Sequence, residues 1–153
     1  MKSVLISIQA EHNANIESGR KTEELRTRVP KCELPIKFLT YESGKNGRHK
    51  VTNEWICREI REYPNADRYP LSLVDRACVP FSYICDYTKD GEKPLFGLVI
   101  TELVIYDKPK DLSQVLYRKQ AEKCVNGCEH NGMCQYCKEI RPPQSWCYVE
   151  ETE

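Results

Sequence analysis

Long apolar runs are missing from this sequence. No stretch approaches the about 20 residues that cross a bilayer. The run nearest the N-terminus, Val4-Leu5-Ile6-Ser7-Ile8, is too short for the hydrophobic region of a secretory signal. These absences lead to the expectation of a cytoplasmic protein with no membrane partner. Net charge is missing too, since 23 Lys and Arg balance 23 Asp and Glu. A chain without an overall field is no generic polyanion binder, so any nucleic-acid contact must use a local patch. Internal repeats and low-complexity segments are also absent, which sets aside solenoids and arrays.

What is present suits one folded domain with a small appendage: 153 residues, 40% hydrophobic and 30% charged. Cysteine is plentiful. Nine residues of this type, an odd number, cannot all pair within one chain. In a reducing compartment, clustered thiols are metal ligands more often than disulfides.

The chain is organised around Ser18 to Val29. A helix end, a glycine suited to the left-handed cap, and a strand follow one another there. Alternation along the strand puts Thr22, Glu24, Arg26 and Arg28 on one face and Leu25 and Val29 on the other. Arg20 to Lys31 holds five basic and two acidic side chains, a local surplus of three in a neutral chain. That is a site-like field.

Around this stretch the pattern predicts a strand over Lys2 to Ile8 and a short helix over Gln9 to Ser18. Further strands are expected over Leu34 to Tyr41 and His49 to Ile60. Ser43 to Lys50 is a glycine-punctuated basic turn, read as solvated rather than as a phosphate clamp. Tyr63 to Val79, with Pro64 and Pro70, reads as loop. Pro80 to Cys85 reads as a helix with Phe81, Ile84 and Cys85 on one side. Leu95 to Tyr106, the longest apolar run, suits a strand buried on both faces or two strands bent at Gly97. A short helix carries Leu112, Val115 and Leu116, and the tail after Pro142-Pro143 has strand character that can return to the sheet. About six strands and three short helices imply a small, barrel-like α+β fold.

Cys124, Cys128, Cys134 and Cys137 place four thiols within fourteen residues, with Gly127 and Gly132 allowing tight turns. Four thiolates suit tetrahedral zinc in a closed, structural site, although His130 or Cys147 can substitute for one of them. Such a site orders a segment too small to fold alone.

Gly19-Arg20-Lys21-Thr22-x-Glu24-x-Arg26 resembles the signature of ASCH domains, in the PUA-like superfamily. Val4 to Ile8 resembles that family's first strand. Asn53-Glu54-Trp55-Ile56-Cys57 resembles its Gly-Glu-Phe strand, with Asn53 where glycine is usual. Leu95 to Ile100 and Ile105 to Pro109 resemble its late strand pair, departing at Leu98-Val99, where many members carry Trp-His. The cysteine knuckle and Arg141 to Val149 are similar to the tail of a phage and prophage subgroup. The resemblance implies a PUA-like mixed barrel over residues 1–110 together with 141–150. Residues 111–140 then form a short helix and zinc knuckle inserted before the last strand. It also implies a cleft that binds RNA or a nucleotide, and some members hydrolyse modified nucleosides.

On that reading Lys21 and Arg26 hold phosphates, Arg26 bidentately. Glu24 accepts a base amino group or orients Arg26, with Thr22 and Arg28 beside them on the strand. Tyr41, Trp55 or Tyr106 is available to stack a base, although Trp55 and Trp146 are first of all core residues. His12 is read as structural. The leading expectation is a non-catalytic RNA-binding module with structural zinc. An alternative is an amidohydrolase acting on acylated cytidine, with Lys21 and Glu24 as catalytic candidates. Members with that activity place a threonine nucleophile three residues after the lysine; here Glu24 occupies that position and can act only as a base for water. Asp75, Asp86 and Glu54 are candidates for a further carboxylate. A third possibility is a phage-encoded adaptor that docks a host protein on the knuckle.

Overall fold

Strand β1 (Lys2–Gln9) lies inside a sheet, and its run Val4-Leu5-Ile6 is buried on both faces. A strand that is apolar in consecutive positions needs cover on both sides. The computed structural model describes residues 1–64, 69–115 and 141–149. The remaining elements, in chain order, are α1 (Ala10–Glu17), β2 (Glu23–Arg26), β3 (Ile36–Ser43), β4 (Val51–Cys57), β5 (Ile60–Tyr63), α2 (Leu71–Ala77), α3 (Phe81–Tyr87), β6 (Leu95–Val99), β7 (Thr101–Lys110) and β8 (Trp146–Val149). One sheet has the order β7-β4-β3-β1-β8 and the other β2-β6-β5.

β1 and β3 pair in parallel, Lys2 with Ile36 through to Gln9 with Ser43. A parallel pair needs a crossover, and α1 with β2 supplies it. α1 is weakly amphipathic; only Asn13 and Ile16 are buried. It ends where Ser18 caps back to Ala14 and Gly19 takes φ +80°. No atom crowds the place where a Cβ would sit on Gly19, so backbone conformation is the reason for glycine there.

What α1 lacks in apolar face it gains from a buried polar network. Asn13 donates to Glu42 at 2.7 Å and to Thr52 at 3.0 Å, and Asn53 donates to Asn13 at 2.8 Å. Asn53, which stands where the resembled family has glycine, is fully buried and stitches β4 to the helix. Arg48 donates to Glu42 and Glu17, so the basic turn is ion-paired to the fold.

Three apolar clusters form among the described residues. The first, on one face of the larger sheet, joins Val4, Ile6, Ile8, Phe38 and Trp55 to Ile16 and Leu98. Phe38 and Trp55 stack at 4.5 Å, worth about 0.5–1.5 kcal/mol beyond their burial. The second packs Leu25, Tyr63 and Leu95 against Leu73, Ala77 and Ile84 of α2 and α3. The third lies on the other face of the larger sheet, where Leu5, Leu39, Tyr41 and Val51 meet Leu112, Val115, Cys147 and Val149.

The structure corrects several expectations. The described strands form two sheets and no closed barrel. The stretch read as loop, Tyr63 to Val79, contains the end of β5 and all of α2. The long apolar run divides at Ile100, whose amide turns away to donate to the Thr22 carbonyl at 2.9 Å, and not at Gly97. β7 is a half-exposed edge strand rather than one buried on both faces. Gly97 has a different reason: a Cβ there would meet Glu23 Cδ at 2.5 Å. The tail does return to the sheet, as β8 antiparallel to β1. A helical turn at residues 112–115 is described; Leu116 and the cysteines 124, 128, 134 and 137, with His130, lie outside the described residues. Among the described residues no helix is long and apolar enough to cross a membrane.

Candidate functional site

A cleft of about 240 Å³ lies beside the C-terminal end of β1, lined by residues of both sheets. Its floor is Glu24, Leu25 and Arg26 of β2. One wall carries Glu11 and His12 of α1 with Tyr83 and Tyr87 of α3; the other carries Ser7 to Gln9, Ser43 and Gln144. A second hollow of about 830 Å³ lies at the opposite end of β1, bounded by Met1, Lys2 and Cys32 to Pro35. Every residue lining that hollow is exposed or half-buried, so nothing there presents a buried polar group.

Alternation along β2 sorts its charges. Glu24 and Arg26 face the cleft; Glu23 turns to Arg61, Tyr63 and Arg76, and Leu25, which also lines the cleft, packs in the second cluster. Glu24 is 6% exposed. Its Oε1 accepts the Leu25 amide at 3.2 Å and lies 3.6 Å from Lys21 Nζ. Its Oε2 lies 3.6 Å from Arg26 Nη2 but takes no hydrogen bond among the described residues. Burial pushes this carboxyl's pKa up. Lys21, Arg26, His12 and the Leu25 amide together outweigh that and hold it below the usual carboxylate value. The site therefore presents a buried carboxylate ion with one unused acceptor.

The two cations that stabilise it also bond to the surrounding chain. Lys21 is 2% exposed, and its Nζ donates to the Ala77 carbonyl at 2.7 Å, satisfying the end of α2. Arg26 donates from Nη1 to Ser145 Oγ at 3.0 Å and from Nη2 to the Ser7 carbonyl at 2.8 Å.

The aromatic wall is built by helical spacing. Tyr83 and Tyr87, one turn apart on α3, stack at 5.9 Å, and Tyr83 meets the His12 ring at 5.7 Å. Burial, then Lys21, lowers the His12 pKa against the opposing pull of Glu24 and Glu11, so the imidazole is neutral at neutral pH. Burial and the nearby Glu24 raise the Tyr83 pKa, keeping its hydroxyl protonated.

Of the residues singled out from sequence, Lys21, Glu24 and Arg26 come together here. Thr22 is exposed and acts through its backbone, to Arg76 and Ile100. Arg28 lies outside the cleft with its guanidinium 5.4 Å from the Trp146 ring, whose Nε1 donates to the Arg28 carbonyl. Tyr41 is buried in the third cluster beside His49, Trp55 is fully buried, and Tyr106 packs on that same third cluster. None of these aromatics lines the cleft. Asp75 and Asp86 are exposed and Glu54 pairs with Lys37, all outside it. Cys147 packs on the third cluster with β8.

Sequence reasoning missed Tyr83, Tyr87 and Glu23, and it read His12, which lines the cleft, as structural. The tyrosines lie four apart on a helix, a spacing that marks a shared face. Glu23 is fully buried and takes hydrogen bonds from Arg61 and Tyr63, both at 2.8 Å, with Arg76 Nε 3.7 Å away. A carboxylate on the apolar side of a strand needs partners of this kind, and that rule was the available signal. Among the described residues no group of acidic, histidine and cysteine side chains is arranged to hold a metal ion.

No protein-family model matches the chain, and no curated protein matches it. Its fold is nevertheless shared with solved structures. The crystal structure of ASCH from Zymomonas mobilis aligns with a TM-score of 0.67 at 19% identity, over 98% of this chain and 89% of that one. A serine-to-alanine mutant of ZmASCH aligns with a TM-score of 0.66 at 18% identity, over 98% of this chain and 89% of that one. A tyrosine-to-phenylalanine mutant aligns equally well at 0.66 and 18%, over 99% and 92%. At such identities the likeness shows the fold: α+β, of the ASCH type.

Proposed function

We propose that this chain is an RNA- or nucleotide-binding module and that its cleft takes up a base through Glu24. The observation that carries the reading is the Glu24 carboxylate, buried and ionised, whose Oε2 takes no hydrogen bond among the described residues, in a cleft walled by aromatic rings. A buried acceptor without a donor costs stability. The exocyclic amino and ring N–H groups of nucleobases are donors that suit such an atom, and their π-faces pack on tyrosine. The shared fold supports the same reading, because ASCH-type folds are associated with RNA binding.

The proposal keeps a structural zinc on Cys124, Cys128, Cys134 and Cys137, on the chemistry of four closely spaced thiols. Those cysteines and the Arg141 to Val149 tail fit the phage and prophage subgroup. Four protein ligands close a zinc site, so the ion would shape the chain and take no part in ligand chemistry.

Calorimetric titration with nucleosides and short single-stranded RNAs tests the reading. Glu24→Gln keeps the shape and removes the charge, and it is expected to weaken binding about tenfold or more, the range of a hydrogen bond to a charged group. Unchanged affinity in that variant contradicts the proposal. Release of acetate from acetylcytidine, lost in Glu24→Gln, would instead favour the hydrolytic alternative with Glu24 as base.

A further inference from the structure

We infer that the cleft selects the base of its ligand and turns phosphate away, and that Arg26 is a positioning residue that latches the C-terminal strap. The inference rests on the reading of the cleft as a base site and narrows it to a ligand class: a nucleoside-like heterocycle bearing an N–H donor, with any phosphate left outside.

A phosphate site needs a cation whose N–H groups are free to point at oxygen. The described residues that line this cleft include one permanent cation, Arg26, and two acidic side chains, Glu11 and Glu24. Arg26 directs one Nη1 N–H to Ser145 Oγ and one Nη2 N–H to the Ser7 carbonyl, and Nη2 also lies 3.6 Å from Glu24. Lys21, behind Glu24, is buried against the Ala77 carbonyl. With two acidic side chains against one permanent cation among these lining residues, a phosphate entering the cleft would meet net negative charge. The unused atom at the floor is an acceptor, which phosphate oxygens cannot satisfy and a heterocyclic N–H can.

The bonds that occupy Arg26 have a purpose of their own. Residues 141–145 lead into β8, and Gln144 among them forms part of the cleft wall. This strap is held from two sides. Ser7 donates its amide to the Ser145 carbonyl at 2.9 Å and its hydroxyl to the Pro143 carbonyl at 2.6 Å. Arg26 closes the arrangement by bonding to Ser145 and to Ser7 at once. The guanidinium thus fixes the wall against the floor, and it acts on a ligand through the wall's position and through the charge it holds beside Glu24.

The full chain is titrated calorimetrically with adenosine, cytidine, guanosine and uridine and with their 5′-monophosphates, as wild type, Arg26→Ala, Ser145→Ala and the double variant. The inference expects the monophosphate of the preferred base to bind no more tightly than its nucleoside. It expects each single variant to weaken nucleoside and monophosphate alike, about fivefold in Ser145→Ala, which removes one hydrogen bond, and more in Arg26→Ala, which also removes the bond to Ser7 and the charge beside Glu24. It expects the double variant to be no worse than Arg26→Ala, since both remove one contact. Ser145→Ala alters a half-buried hydroxyl and keeps the test available should Arg26→Ala fold poorly. A monophosphate that binds tenfold or more tightly than its nucleoside, with the advantage lost in Arg26→Ala and kept in Ser145→Ala, overturns the inference while leaving the base site standing. Failure of the wild type to bind any nucleoside, nucleotide or short RNA overturns the base site and this inference together.

Discussion

Lys21 Nζ stands 3.6 Å from Glu24 Oε1 while donating to the Ala77 carbonyl at 2.7 Å. One buried ammonium therefore closes the end of α2 and keeps the cleft carboxylate ionised. Structural support and site chemistry share a side chain.

That sharing predicts a pH signature. Glu24 has a folded-state pKa below its usual 4.5, so its contribution to stability is present above that value and is lost as pH falls below it. The contribution of Glu24 to ligand affinity in the wild type should stay level as pH is lowered to 4.5. Lys21→Met removes the largest opposing charge, raises the Glu24 pKa, and should make affinity decline from a higher pH. The same variant should lose about 3 kcal/mol of stability, the scale for breaking a buried ion pair. Titration at several pH values and urea unfolding check both parts. An unchanged pH profile would show that Lys21 does not set the Glu24 charge.

Glu42 predicts a second acid-sensitive contribution, away from the cleft. Hydrogen bonds from Arg48 pull its pKa down first, burial opposes them, and Asn13 adds to the lowering, leaving it at about 2. Stability from this group is full above 4.5 and is lost progressively as pH falls toward 2. Arg48 is half-exposed, so screening reduces the gain to about 1–2 kcal/mol. Glu42→Gln should lose that amount at pH 7, and the gap from wild type should narrow steadily between pH 4.5 and 2. A gap that does not change with pH would contradict the assignment.

Gly97 lies against the buried Glu23 side chain, so Gly97→Ala must push one of them aside. Overpacking of this kind costs about 1–3 kcal/mol. Combined with Glu23→Ala, the alanine at 97 should cost less than it does alone, because the space is then open. Thermal unfolding of the two single variants and the double variant measures the coupling. Strict additivity would mean that contact with Glu23 does not explain the glycine.

The organising face of β2 was legible because alternation and charge agreed at Glu24 and Arg26. Gly19 was legible because a helix end, a glycine and a strand came in order, and β8 because its strand character follows a proline pair. Other features were set by tertiary contact. α2 hides because only Leu73 and Ala77 of its seven residues are buried and Leu71 is 90% exposed, leaving little periodic signal between two prolines. Gly97 carries the same letter whether it bends a strand or admits a neighbour, and only the position of Glu23 decides. Arg28 continues the alternation of Arg26, but β2 ends at Arg26 and the chain then turns toward Trp146. The aromatic wall depends on how α3 is rotated against α1, and a helix's own sequence does not record that.

The four clustered cysteines make a separate prediction. Elemental analysis of protein purified without added chelator should find one zinc per chain, lost when Cys134 and Cys137 are both changed to serine. Zinc sites of this type contribute apparent binding energies on the order of 10 kcal/mol, so the metal should survive dialysis at neutral pH and leave on acidification. A metal-free wild type would remove zinc from the account and leave the cleft untouched.

The most direct test of the central claim is a crystal structure of the wild-type protein grown with the nucleoside it binds best. The account predicts the heterocycle inside the cleft beside Tyr83, with one N–H within about 3 Å of Glu24 Oε2 and Arg26 still bonded to Ser145. A nucleoside bound elsewhere, or in the cleft with its base turned away from Glu24, would contradict it.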